Sequence, residues 1–219
     1  MALNKLKFNS LNVTPTAGKT IGFNSSANGL EATFSGGSMT FIKKLTASSS
    51  STLSFVDGSS DVVLDSTYKE YLFIFKSLHV ADTNNNILFN FSTDGGSNYN
   101  VTKTTTLFRA IHHESDGTAS VSYQTGGDLA QSTDFQRLTK NMSNDNDNGF
   151  SGYMHLFNPS STTFVKHFVS RSSSSTYHPY NFADFVAGYG NTTSAVDAVQ
   201  FKAGHGNIDA GTITLYGIN

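Results

Sequence analysis

The chain has 219 residues, of which 14% are charged, 37% apolar and 12% Phe or Tyr, with a formal charge of −2. That length suits one sandwich- or barrel-sized domain with an arm, and the aromatic content with near-neutral charge excludes a disordered chain. Fourteen scattered Lys and Arg give no basic patch for nucleic acid or anionic lipid, and the lack of cysteine excludes disulfides and thiolate metal sites.

Residues 1–37 alternate short apolar pairs with turn formers: "SLNVTPTAGKTIGFNSSANGLEATFSGG". Such a segment cannot close a core alone. Leu11, Val13, Ile21, Phe23 and Leu30 are expected either to form a docking or oligomerisation arm or to serve as an edge strand and loop. From residue 38 to 219 the signal is β, and helices are nearly absent. The first half reads as strands at "MTFIKKLTA", "STLSFV", "DVVLD", "YKEYLFIFKSLHV", "ILFNFST" and "LFRAIHH". In the long fourth segment Tyr71, Phe73, Phe75 and Ser77 are expected on one face and Leu72, Ile74, Lys76 and Leu78 on the other. A strand apolar on both faces belongs in the middle of the sandwich.

The second half continues with "FQRLTK", "GFSGYMHLFN", "TTFVKHFVSR", "FADFVAG", "AVDAVQFKA" and "GTITLYG". Polar stretches such as "NMSNDNDNG" and "SRSSSSTYHPY" read as the loops between them. The spacing predicts an all-β fold, an antiparallel two-sheet sandwich of jelly-roll type, with residues 1–37 as an extended arm.

"STDGGSNY" matches the Asp-box, with Ser92, Asp94, Gly96 and Tyr99 in the fixed places. Each has a role in folding, since Asp94 caps turn amides, the glycines supply positive φ, and Tyr99 folds back. The box is expected to shape a hairpin. Sialidases carry several such boxes on a propeller, together with an arginine cluster and a Tyr nucleophile. This chain has one box, three arginines (Arg109, Arg137 and Arg171, the last opening a serine-rich loop) and too few residues for such a propeller.

"AIHHE" contributes His112, His113 and Glu114, and His155 and His167 follow, but adjacent histidines on a strand face opposite ways and cannot share a metal. "SNDNDNG" offers Asp145 and Asp147 as weak calcium candidates in what otherwise reads as a solvated turn. No phosphate loop, nucleophile elbow or zinc-protease motif occurs, so neither catalysis nor a cofactor is expected. Tyr177, His178 and Tyr180 in "SSSSTYHPYN" are the candidates for stacking on a glycan.

"TPTAGKTIGFNSSANGLEA", "TYKEYLFIFKSLH", "TTTLFRAIHHE", "HLFNPSSTTFVKHF" and "GNIDAGTITLYGI" together resemble virion structural proteins of tailed bacteriophages, of the kind found in phages of marine bacteria and cyanobacteria. These are tail-fibre-like or head-decoration proteins. The resemblance implies a non-enzymatic virion surface protein, a homo-oligomer and most simply a trimer, docked to other capsid or tail proteins through its arm. It also implies synthesis in the host cytoplasm without a signal peptide and no membrane partner. The alternative is a carbohydrate-binding or carbohydrate-active module that recognises host-surface glycans, which the lack of Trp weakens.

Overall fold

The computed structural model describes residues 20–23, 26, 28–33 and 38–219. The chain divides into two compact units, Met1–Met39 and Thr40–Asn219. In the first, β1 (Thr20–Phe23) and β2 (Leu30–Thr33) pair as an antiparallel hairpin. Phe23 is 75% exposed there, and Ile21 and Leu30 are also exposed. Leu11 and Val13, and most of the expected docking arm, lie outside the described residues.

The second unit is an antiparallel two-sheet β-sandwich, and no helix occurs among the described residues. Its strands are β3 (Met39–Thr46), β4 (Leu53–Val56), β5 (Glu70–Val80), β6 (Asn85–Ser92), β7 (Lys103–His113) and β8 (Ala119–Tyr123). They continue with β9 (Gln136–Met142), β10 (Phe150–Phe157), β11 (Lys166–Ser175), β12 (Tyr180–Gly190), β13 (Ala198–Ala203) and β14 (Ile208–Ile218). The larger sheet runs β3-β14-β5-β10-β11-β12-β7-β8 and the smaller β4-β13-β6-β9. Without the two pairs β7–β8 and β11–β12, the remaining strands form two four-stranded sheets, β3-β14-β5-β10 and β4-β13-β6-β9, and alternate between them in chain order except at β6 and β9, which share the smaller sheet. The two extra pairs widen the larger sheet on one side.

Alternating apolar residues on the inner faces build an aromatic core. Phe201 of β13 sits 5.2 Å from Phe75, 5.4 Å from Phe73 and 6.4 Å from Phe55, ring centre to ring centre, and Phe89 meets Phe168 edge-on at 4.9 Å. Each such pair contributes roughly 0.5–1.5 kcal/mol beyond the area it buries.

Beneath the extra strands the interior turns polar. Arg109 of β7 contacts Asp184 of β12 at 2.6 Å, Thr139 of β9 bonds Ser174 of β11 at 2.7 Å, and Thr105 donates to Gln136 at 2.6 Å. Ser170, Ser172 and Ser174 are buried on β11; the Ser172 hydroxyl donates to the Leu138 carbonyl of β9, Ser174 bonds Thr139, and Ser172 is the cross-strand neighbour of Asp184. Lys103 is fully buried; its Nζ donates to Asn90 Oδ1 and to the Val101 carbonyl.

Four details differ from the sequence reading. "DVVLD" forms no strand; Val62 and Leu64 instead plug the core from a loop held by Asp57, whose carboxylate accepts the Leu64 amide at 2.7 Å. The alternation of β5 breaks at Ser77, which takes φ 48°, so Leu78 joins Tyr71, Phe73 and Phe75 inside. Opposite this bulge Gly211 holds φ 99°, and a Cβ there would lie 2.3 Å from the Ser77 carbonyl oxygen. The stretch "SRSSSS" is strand rather than loop, since β11 continues to Ser175. Finally, β6 and β7 belong to different sheets.

Candidate functional site

That separation corrects the expectation for the Asp-box: the turn is a corner between sheets and no hairpin. Buried Ser92 Oγ donates to Asp94 Oδ1 at 2.7 Å and accepts the amides of Asp94 and Gly96 at 3.2 and 3.0 Å. Asp94 in turn accepts the Asn98 side-chain and main-chain N–H groups at 2.7 and 2.8 Å. These bonds, that of the Asn98 side chain foremost, hold the Asp94 carboxyl down at about 2. Gly95 and Gly96 take φ 68° and 80°, and Tyr99 lies over Gly96 so closely that a Cβ would come 2.8 Å from its hydroxyl. The Gly95 amide donates to Asp197 at 3.0 Å, tying the corner to the start of β13. A carboxylate ionised at neutral pH and engaged by its own turn is not placed to donate a proton to a substrate.

The other sequence candidates are spread apart. Arg109 points into the sandwich, whereas Arg171 lies exposed on the outer face of the larger sheet. His112 bonds Asp116 at 3.1 Å, His113 bonds Ser115 at 2.7 Å, His155 pairs with Glu70, and His167 packs against Tyr189. Asp145 accepts the Ser143 hydroxyl at 2.6 Å and Asp147 stands apart in a groove. Among the described residues no three His, Asp or Glu side chains converge as a metal site. Tyr177 and His178 sit exposed at the β11–β12 turn, 4.1 Å apart between ring centres, while Tyr180 opens β12 and is covered edge-on by His113 at 4.5 Å.

The convergence lies on the outer face of the larger sheet, where registers align residues across seven strands. Thr214 pairs with Ile74, Ile74 with Tyr153, Tyr153 with Arg171, Arg171 with Phe185, Phe185 with Phe108, and Phe108 with Tyr123. Cross-strand neighbours on one face touch, so this is a row of side chains perpendicular to the strands. Phe108 and Phe185 stack with 3° between their planes at 4.6 Å, and the Arg171 guanidinium lies 5.0 Å from the Phe185 ring centre. Tyr153, Phe108 and Tyr123 are 38%, 44% and 51% exposed.

Small residues flank the row. On one side Ser151, Ser173, Ala183 and Ala110 pair in succession; on the other, Val169, Ala187 and Thr106 do so. A depression of about 350 Å³ opens on the first side between Tyr153, Arg171 and the serines, and one of about 270 Å³ on the second between Phe108, Val169 and Phe185. The first adjoins, across the shared Ser151, Ser173 and Asn181, a polar groove of about 800 Å³ at the β9–β10 loop. There His79 bonds the Asp209 carboxylate at 2.7 Å and the Asp145 carbonyl at 2.9 Å. Burial alone would lower the pKa of His79; the Asp209 hydrogen bond and the Asp145 contacts outweigh it and raise the imidazole above its ordinary value. Hydroxyls, amides and carboxylates at one end and aromatic rings beyond them suit a ligand with both polar edges and apolar faces. No protein-family model, curated protein or solved structure matches the chain.

Proposed function

We propose that the chain is a non-enzymatic surface protein of a tailed-phage virion, a tail fibre or appendage or a capsid decoration, whose jelly-roll-like sandwich presents a binding face. The observation that carries the binding role is the row Tyr153-Arg171-Phe185-Phe108-Tyr123, outside a sandwich whose inner faces already close the core. Exposed aromatic side chains in register across a sheet mark an interaction surface more often than an idle one. The strand alternation between sheets supports the jelly-roll reading. Particle origin rests on the resemblance of the five stretches quoted above. The exposed Ile21, Phe23 and Leu30 of the N-terminal hairpin suit a segment that docks to other virion proteins or to further copies of itself, most simply in a trimer.

Mass spectrometry of purified particles, followed by antibody labelling on intact virions, tests the assignment. Signal at the tail or over the head is expected, with sedimentation of the recombinant chain giving a trimer. A monomer absent from purified particles overturns it. A carbohydrate-binding module is the second reading, favoured by the polar groove beside the aromatic row.

A further inference from the structure

We propose that the outer face reads an acidic glycan, with Arg171 pairing to the carboxylate of an acidic sugar while neighbouring sugars run through the hydroxyl-lined trough toward Asn181 and Asp209. The inference rests on the binding role proposed above and names the class of ligand.

Charge is the first argument. His155, His79 and His112, on or beside this face, each already hold a carboxylate: Glu70, Asp209 and Asp116. Arg171 has none within salt-bridge distance among the described residues, and its contact is the Phe185 ring. A planar guanidinium held against an aromatic face loses little freedom on binding and offers parallel N–H groups to a planar carboxylate.

Shape is the second. Arg171 lines both depressions, the serine side with Tyr153 and the apolar side with Phe108, Val169 and Phe185. A pyranose carries hydroxyls at its rim and C–H groups on its faces, so a sugar seated at Arg171 meets serine hydroxyls at one edge and ring surface at the other. The adjoining groove supplies acceptors and donors from Asn181, Ser173, Ser175 and Asp147, which suit sugar hydroxyls. A protein partner fits less well. Arg, Tyr and Phe are common at protein interfaces but serine is depleted there, and the edge of this row is lined by Ser151 and Ser173.

The test is calorimetric titration of the full chain with oligogalacturonate, oligoalginate and oligosialate, each beside its carboxyl-reduced neutral form. At least one carboxylated oligomer is expected to bind and its reduced form to bind much more weakly. Arg171→Gln should weaken binding roughly 10- to 100-fold, the effect of a lost charge-assisted hydrogen-bonded pair, with Arg171→Lys intermediate. Tyr153→Ser should weaken binding to both forms, with an unchanged circular dichroism spectrum for every variant. Failure of all three acidic oligomers to bind, equal affinity for the reduced forms, or full affinity in Arg171→Gln overturns the proposal. So does sedimentation in which Arg171→Gln dissolves a self-association that buries this face. Acidic-oligomer binding by a chain absent from particles refutes the virion assignment alone, and a particle-bound chain that ignores all three refutes the glycan inference alone.

Discussion

Asp184→Leu leaves the guanidinium of Arg109 buried without a counter-charge. Arg109 and Asp184 are 1% and 0% exposed at their side chains, and both Nε and Nη2 of the arginine reach the same oxygen, Oδ1, at 2.7 and 2.6 Å. Phe182 covers the guanidinium at 4.1 Å, so water has little access to it. Burial pushes the Asp184 carboxyl above its ordinary range even though Arg109 pulls it down, and Arg137 and Lys140 feel the same pair. Breaking a buried pair from one side costs about 3–5 kcal/mol, a large part of the roughly 5–15 kcal/mol that holds a domain folded. In urea, with a slope of about 2–3 kcal/mol per molar, the midpoint should fall by roughly 1–2.5 M. The double variant Arg109→Met with Asp184→Leu replaces both charges by apolar volume. It should lie within about 1 kcal/mol of wild type, because the two desolvation costs vanish together. A single variant costing under about 1 kcal/mol, or a double variant that costs more than the single, would show that the pair is not desolvated.

Two further outcomes follow from titrating groups. Burial pushes the Lys103 ammonium from 10.5 down to about 7 against the pull of Asp134, so between those values the unfolded chain binds more protons and stability rises with pH. Burial pushes the Tyr71 phenol up, which reverses the trend once unfolded tyrosines ionise. The melting midpoint should therefore climb from pH 7 to about 9.5 and fall beyond it, and Lys103→Met should flatten the climb; a midpoint that falls from pH 7 to 9 refutes this. Asp94 is held at about 2, below its ordinary 3.8, so its contribution is full above 3.8 and disappears as pH drops through about 2. Asp94→Ala should lower the melting midpoint at pH 7, converge with wild type in strong acid, and leave glycan binding intact; equal midpoints at pH 7 would mean the corner does not depend on the box.

Strands β5, β6, β10, β13 and β14 are legible in the sequence because most of their inner positions carry aromatic or aliphatic residues at period two over at least part of each strand, and burial of one face imposes that period. The second half of β11 is not. Its inward residues are Ser170, Ser172 and Ser174, which meet polar partners such as the Tyr153 and Leu138 carbonyls and Thr139, so the segment has no hydrophobic period and reads as a loop. Strand β8 is exposed throughout and carries no period either. The candidate site shows the same limit. Tyr153, Phe108 and Phe185 each fall in a segment that reads as strand, but Arg171 reads as the start of a loop, and nothing local indicates that the four align.

The sequence by itself determined an all-β sandwich with local turn chemistry, since alternation, glycine punctuation and the Ser92–Asp94–Asn98 bonds depend on neighbours in the chain. Only the tertiary structure decided that the Asp-box turns a corner between sheets, and that Arg171 stands beside Phe185 in an aromatic row. Strand partners and their registers are fixed by side chains packed from distant segments, and a one-residue slip would have sent Arg171 to the opposite face.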